Sequence, residues 1–209
     1  MSCEEEFKTV YLVANSTAET RGVDAFALSL IKAERQLRKL FTHLIFQFPC
    51  FSKADIPKLR DTLAQNRRVY FDGFLKGFNA LYQKTAEDLI GNDYQQLRER
   101  ISKSIEHRNK IFHGQLTKNY LSREELLLYV SDIGLWCKKL ADSCLREFGY
   151  DGFARDSFRK SQREALCEKF KVSFQSVADY EGFVRQHMER CPNQPFKKEL
   201  GDAARPSPS

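Results

Sequence analysis

The sequence predicts an all-α protein, an antiparallel bundle of four to five helices with a C-terminal helical extension. The helix formers Leu, Lys, Glu, Arg, Gln and Ala dominate the chain, whereas Gly (10) and Pro (6) are scarce among its 209 residues. Apolar residues recur three and four positions apart along several long segments. With 42% hydrophobic residues, 17 of them Phe, the chain can bury a substantial core.

The N-terminal part is expected to form an arm over residues 1–22 and then to enter the bundle, which is predicted over residues 23–148. Within the arm, residues 8–13 (KTVYLV) form a strand-like run. The first long amphipathic helix is predicted over residues 23–48, and Pro49 ends it.

A second helical region is predicted to begin at Asp55, a favourable N-cap with Pro57 in the first turn. Apolar spacing extends this region to about residue 88. Gly73 and Gly77 allow either a bend or a close contact with another helix.

Two further long helices are predicted, over residues 93–113 and residues 122–148. Ser122 and Glu125 form the pattern of a capping box at the start of the second of these, and Gly149 ends it.

The C-terminal extension is predicted over residues 149–190. It contains two weaker helical patterns, over residues 154–170 and 176–188. From residue 191 to residue 209 Pro, Lys and Ser, with one Gly, replace the helical pattern, so a disordered tail is expected there.

Charge and targeting signals indicate a cytoplasmic protein. The net charge of +6 and the pI near 9.0 suit a polyanionic partner without requiring one. Glutamates follow the first three residues where a secretion signal would be basic and then apolar, and no run is long enough to span a membrane. The six cysteines lack disulfide-framework spacing, and Cys167, His187 and Cys191 are poorly spaced for zinc, so neither metal nor cofactor is expected.

Arginine followed closely by histidine is the pattern that bears on chemistry, because a guanidinium binds phosphate and an imidazole transfers protons near neutral pH. Spacing alone does not identify a candidate site, because the pattern occurs three times. The pairs are Arg38 with His43, Arg100 with His107, and Arg108 with His113. The first two lie in ordinary amphipathic surroundings, with Arg38 and Arg100 on solvated faces.

Arg108 differs because it occupies a position in an apolar stripe. The other members of the stripe are Tyr94, Leu97, Ile101, Ile105 and Phe112. A buried guanidinium requires a carboxylate, an interface or a ligand phosphate. Asn109 and His113 lie side by side on an adjoining face, and Gly114 lets the helix stop beside the imidazole.

The segment 108–114, Arg-Asn-Lys-Ile-Phe-His-Gly, resembles the motif of the HEPN superfamily of ribonucleases: an Arg, a polar residue that is often Asn, and a His four to six positions beyond. In that family the motif lies near the end of a late helix of a four- to five-helix bundle. The resemblance in architecture covers residues 23–148, and its specific residues are confined to the motif.

The resemblance implies a metal-independent endoribonuclease that acts as a homodimer with both motifs in one cleft. His113 would accept the ribose 2′-OH proton, and His113 of the partner subunit would protonate the 5′-oxygen. Arg108 would stabilise the phosphorane, and Asn109 would bind phosphate or hold Arg108. The products would be a 2′,3′-cyclic phosphate and a 5′-hydroxyl. A toxin or defence role, and an antitoxin partner, are also implied.

Substrate contacts are expected at Lys110, beside the motif, and are conceivable at Lys118 and Arg123. Residues 67–71 (Arg-Arg-Val-Tyr-Phe) mix basic and aromatic side chains as RNA-binding surfaces do, but a solvated helix face with core aromatics is the favoured explanation.

Two other interpretations stay open. The chain could be a non-catalytic module of the same fold that binds RNA, nucleotide or protein; Arg108 would then be locked in an intramolecular ion pair, and His113 would simply suit a helix C-terminus. A metal-dependent helical phosphohydrolase is disfavoured, because no paired HD or ExxH-type ligand set is present.

Overall fold

The computed structural model describes residues 2–66, 69–114, 121–154, 156–162 and 166–189. Within these ranges the protein is all-α and contains no named strand, which confirms the predicted class. The helices are α1 (Cys3–Ala14), α2 (Arg21–Phe46), α3 (Ile56–Gln65), α4 (Phe71–Leu81), α5 (Ala86–Ile90), α6 (Tyr94–Phe112), α7 (Arg123–Phe148) and α8 (Val177–His187). Short 3₁₀ turns occupy Lys53–Asp55, Gly91–Asp93 and Leu166–Lys169.

The strand-like run at residues 8–13 is helical, so that prediction was wrong. A capping box between Ser2 and Glu5 starts α1. Phe7 and Val10, three positions apart, are then buried together on one face of the helix. Capping and tertiary packing outweigh the preference of β-branched and aromatic residues for strands.

Helices α2 and α7 form the centre of the bundle and run in the same direction. Phe26 packs on Tyr129 near their N-terminal ends, and further along the side-chain amide of Gln36 donates to the carbonyl of Cys137 at 2.9 Å. Helix α6 runs antiparallel to α7. Ion pairs fix that pairing: Lys139 with Asp93 (2.6 Å) and Arg100 with Asp132 (2.7 Å).

The second predicted helical region is divided into α3, α4 and α5. Asp55 takes the N-cap position of α3, but its carboxylate accepts from the backbone and hydroxyl of Ser52. Gly73 and Gly77 of α4 face Met188 at the end of α8. A β-carbon at Gly73 would overlap the Met188 carbonyl oxygen, so these glycines provide close helix contact.

Residues 154–170 do not form the predicted helix where the structure describes them. The Asp151 carboxylate accepts from the backbone N–H groups of Phe153 and Ala154, which favours a turn over a helix. Lys39 of α2 and Gln47, the C-cap residue of α2, satisfy the carbonyls instead: Lys39 donates to those of Phe153 and Ala154, and Gln47 to that of Arg159. The 3₁₀ turn Leu166–Lys169 follows.

The ends of α6, α7 and α8 agree with the sequence prediction to within two residues. Ser122 and Glu125 form the expected capping box, and Gly149 ends α7 with a φ of 78°. No helix among the described residues is long and apolar enough to cross a membrane. The expected tail, residues 191–209, lies outside the described residues.

Candidate active site

Arg108 lies where the buried face of α6 reaches the protein surface. Residues Tyr94, Leu97, Ile101 and Ser104 are buried on this face, whereas the Arg108 side chain is 20% exposed. Its guanidinium pairs with the Glu34 carboxylate of α2, with Nη1 3.4 Å from Oε2. The expectation that Arg108 needs a carboxylate, an interface or a phosphate is therefore met by a carboxylate in the free protein.

Asn109 holds the other side of the same guanidinium. Its side-chain oxygen accepts from Nε of Arg108 at 3.3 Å and from Nη2 at 3.1 Å. These contacts are the geometry that holding Arg108 would require, and both expected roles of Asn109 stay predictions. The guanidinium plane is thus fixed by one amide and one carboxylate.

His113 is the C-cap residue of α6, and its imidazole is exposed. Its backbone N–H donates to the carbonyl of Asn109 at 3.1 Å. Gly114 follows with a φ of 64°, a conformation that glycine adopts without strain, so the helix stops there as predicted. The same backbone arrangement leaves the imidazole accessible to solvent.

Arg108, Asn109 and His113 line one cleft with a volume of about 310 Å³. The cleft lies between the start of α4 and the ends of α6 and α8. Its other walls come from Tyr70, Phe71, Asp72, Gly73, Lys76, Ile105, Met188 and Glu189. The sequence motif therefore opens onto a cavity of the size that small-molecule sites usually have.

Charges of both signs surround this cleft. Lys76 is exposed on the α4 wall and Arg108 lies on the α6 wall. The Asp72 carboxylate accepts from Arg98 at 2.8 Å, and the Glu189 carboxylate accepts from the side-chain amide of Asn66. The acidic groups are thus partnered and held in fixed positions.

Lys110 lies apart from the cleft walls. Its ammonium pairs with Glu106 at 2.7 Å, one helical turn earlier. Arg123 pairs with its neighbour Glu124 and packs against Gly22. Lys118, Arg67 and Arg68 lie outside the described residues.

Tyr70 and Phe71, the aromatic residues of the segment 67–71, differ in their exposure. Tyr70 is 50% exposed and lines the cleft, whereas Phe71 is buried against Trp136. Sequence reasoning missed Lys76 and Glu34. A usable signal existed for Glu34, because it is the one carboxylate in the Lys- and Arg-rich stretch 32–39 (KAERQLRK).

In the remaining two Arg–His pairs the arginines form ion pairs, Arg38 with Glu34 at 3.8 Å and Arg100 with Asp132, and the histidines are packed against aromatic rings. His43 is buried rather than part of an ordinary amphipathic surface: it stacks on Tyr150 and lies 3.2 Å from the Ser157 carbonyl oxygen. Burial lowers the pKa of His43 to about 4. His107 also has a neighbour that was not expected, the hydroxyl of Tyr129 at 3.4 Å, and burial lowers its pKa.

Among the described residues, no cluster of three or more His, Cys, Asp or Glu side chains could hold a metal ion. Cys191, one member of the zinc set considered above, lies outside the described residues. No family model, no curated protein and no solved structure matches this chain.

Proposed function

We propose that the chain is a metal-independent endoribonuclease of the HEPN type. The observation that carries the proposal is that Arg108, Asn109 and His113 line a single solvent-accessible cleft. A fixed guanidinium and an exposed imidazole supply electrostatic stabilisation and proton transfer, the two contributions that RNA cleavage by internal attack requires.

In the proposed reaction, His113 accepts the proton of a ribose 2′-OH. The oxygen attacks the adjacent phosphorus, and Arg108 stabilises the charge of the phosphorane. Expulsion of the 5′-oxygen leaves a 2′,3′-cyclic phosphate and a 5′-hydroxyl. DNA resists because it has no 2′-OH. Loss of a general acid–base group typically costs on the order of 10²–10⁴-fold in rate.

The leaving oxygen needs its own proton donor, which His113 of the partner subunit supplies in a two-fold homodimer. Exposed apolar side chains beside the motif support self-association. Phe112 is 63% exposed one turn after Arg108, and Ile31 is 53% exposed one turn before Glu34. Because α2 and α6 run in opposite directions, both side chains lie on the same side of the Arg108–Glu34 pair.

Arg108 can take part only if its ion pair with Glu34 can be exchanged for a phosphate. Both side chains are partly exposed, at 20% and 24%. Pairs of this kind contribute roughly 0–1 kcal/mol. A phosphate can accept two parallel hydrogen bonds from the guanidinium, so the exchange is energetically accessible.

The same ion pair favours a second candidate function, a non-catalytic module of this fold that binds RNA, nucleotide or protein. In that case Glu34 holds Arg108 permanently, and the cleft binds without cutting. The proposed cytoplasmic location, the toxin or defence role and an antitoxin partner rest on the composition and the family resemblance.

The test is cleavage of mixed tRNA and mRNA in EDTA by wild type, Arg108→Ala and His113→Ala. Arg185→Ala is the matched control, because Arg185 is exposed on α8 outside the cleft. The nuclease proposal expects cyclic phosphate ends from wild type and the control, and a loss of about 10²-fold or more in the two site variants. Absence of cutting by folded, dimeric wild type would favour the binding module.

A further inference from the structure

Tyr70 lines the candidate cleft at the start of α4. It is the N-cap residue of α4, with extended backbone angles and no side-chain capping bond. Ser, Thr, Asp and Asn are the residues preferred at that position. The ring is 50% exposed, whereas the adjacent Phe71 is 4% exposed. An exposed ring beside Arg108 and His113 provides a flat apolar surface at the motif.

Basic groups face this surface from two walls. Lys76 is exposed on α4, and Arg108 lies on α6. Aromatic rings next to cations are the combination with which proteins bind single-stranded nucleic acid, since a base stacks while its phosphate pairs. The volume of about 310 Å³ lies at the lower end of the range for small-molecule sites. A cleft of this volume fits one nucleotide and is too small for a duplex.

Acidic side chains also line the cleft. Asp72 is held by Arg98, which precedes Arg108 by ten residues, about 15 Å along the helix axis. The Arg98 guanidinium also donates to Ser102, so Asp72 lies toward the N-terminal side of Arg108 along α6. One bond to Arg98 leaves further acceptor sites on an ionised carboxylate, and Glu189 adds a second carboxylate to the same cleft.

We infer that this cleft is a nucleotide subsite for single-stranded RNA, in which a base stacks on Tyr70 and presents its exocyclic amino group to Asp72 or Glu189. Adenine, cytosine and guanine carry such an amino group. Uracil has no exocyclic amino group, and its one donor on that edge, N3–H, lies between two carbonyl oxygens that a carboxylate repels. The inference rests on the proposed function for the identity of the polymer, and it adds a base preference against uracil.

Binding without cleavage tests the subsite. Fluorescein-labelled 2′-O-methyl oligonucleotides of A, C or U, about eight nucleotides long, are titrated into the full chain and followed by anisotropy. The methyl group blocks internal attack, so the measured Kd is independent of catalysis. The variants are Tyr70→Ala, Tyr70→Phe and Tyr11→Ala; Tyr11 is a similarly exposed tyrosine on α1.

Tyr70→Ala is expected to weaken binding of the A and C oligomers roughly 5- to 150-fold, the usual cost of losing one stacked base. Tyr70→Phe should restore binding, and Tyr11→Ala should match wild type. Wild type should bind the U oligomer less tightly, and Asp72→Asn should reduce that difference. Equal effects of the two alanine variants, or no discrimination against U by wild type, would overturn the subsite.

The two proposals fail separately. Tyr70-dependent binding by a wild type that cuts no RNA in EDTA would leave the subsite standing and remove the nuclease. Cleavage in EDTA that depends on His113, with binding indifferent to Tyr70, would leave the nuclease standing and remove the subsite.

Discussion

The guanidinium of Arg108 lies 3.4 Å from the carboxylate of Glu34, a residue 74 positions earlier in the chain. This contact joins the end of α6 to the middle of α2. The contact explains why a charged residue occupies the apolar stripe of α6 in the absence of a ligand. A phosphate that binds Arg108 must displace the Glu34 carboxylate.

Glu34→Gln is expected to raise affinity for RNA several-fold, because the neutral amide releases Arg108 and removes a charge that repels phosphate. The free energy of unfolding should fall by about 1–2 kcal/mol, since the Glu34 carboxylate pairs with both Arg108 and Arg38. Anisotropy titration and urea denaturation measure the two effects.

Asp132→Asn provides the matched control for that change. It disrupts the Arg100–Asp132 ion pair, which joins α6 to α7 away from the cleft. It should lower stability without altering RNA affinity. If Glu34→Gln instead weakened RNA binding and stability together, Glu34 would be the residue that positions Arg108.

Phe112→Asp is expected to convert a dimer into a monomer, because it places a charge in the exposed apolar surface beside the motif. Sedimentation equilibrium measures the mass, and circular dichroism verifies that the helices persist. Leu145→Asp alters another exposed apolar side chain, 52% against 63% for Phe112, in the last turn of α7 and should leave the mass unchanged. A dimer that persists in Phe112→Asp would refute this interface.

Gly73→Ala is expected to lower the free energy of unfolding by about 1–3 kcal/mol, since the new methyl group would overlap the backbone carbonyl of Met188. Gly182→Ala is the control on α8, where a β-carbon meets nothing within 4 Å. There the better helix propensity should stabilise by about 0.5–1 kcal/mol. Chemical denaturation measures the change in the free energy of unfolding for both variants. If the two changes had the same sign, the close α4–α8 contact would be contradicted.

His43 should make stability depend on pH between about 4 and 6.5. Burial lowers its pKa from 6.5 to about 4 in the folded protein. Within this window the unfolded chain binds the extra proton, so stability falls as the pH falls, with a slope of up to about 1.4 kcal/mol per pH unit. Above pH 6.5 His43 is neutral in both the folded and the unfolded chain, so its protonation no longer lowers stability.

Comparison of wild type with His43→Phe isolates this effect, because Phe keeps an aromatic ring against Tyr150 and cannot titrate. Urea unfolding from pH 4 to pH 7.5 should give a shallower acid slope for the variant. Parallel slopes would show that carboxylates alone cause the acid sensitivity.

Helix boundaries set by local chemistry were predictable from the sequence. The Ser122–Glu125 capping box and the stop at Gly114 depend on residues a few positions apart. The partner of Arg108 was not predictable in the same way, because contact with Glu34 depends on how α2 and α6 pack. The burial of His43 likewise depends on the distant residues Tyr150 and Ser157.

The side chains of α2 that hold the segment after α7 have a consequence for synthesis on the ribosome. Gln36, Lys39 and Gln47 donate to carbonyls that lie 112 to 115 residues later. At translation rates of 5–20 residues per second, roughly 6–23 s pass between the synthesis of each donor residue and the synthesis of the residue whose carbonyl it binds. A nascent chain halted before residue 151 would carry α2 with polar groups facing an unfinished core, a state that chaperones and proteases recognise.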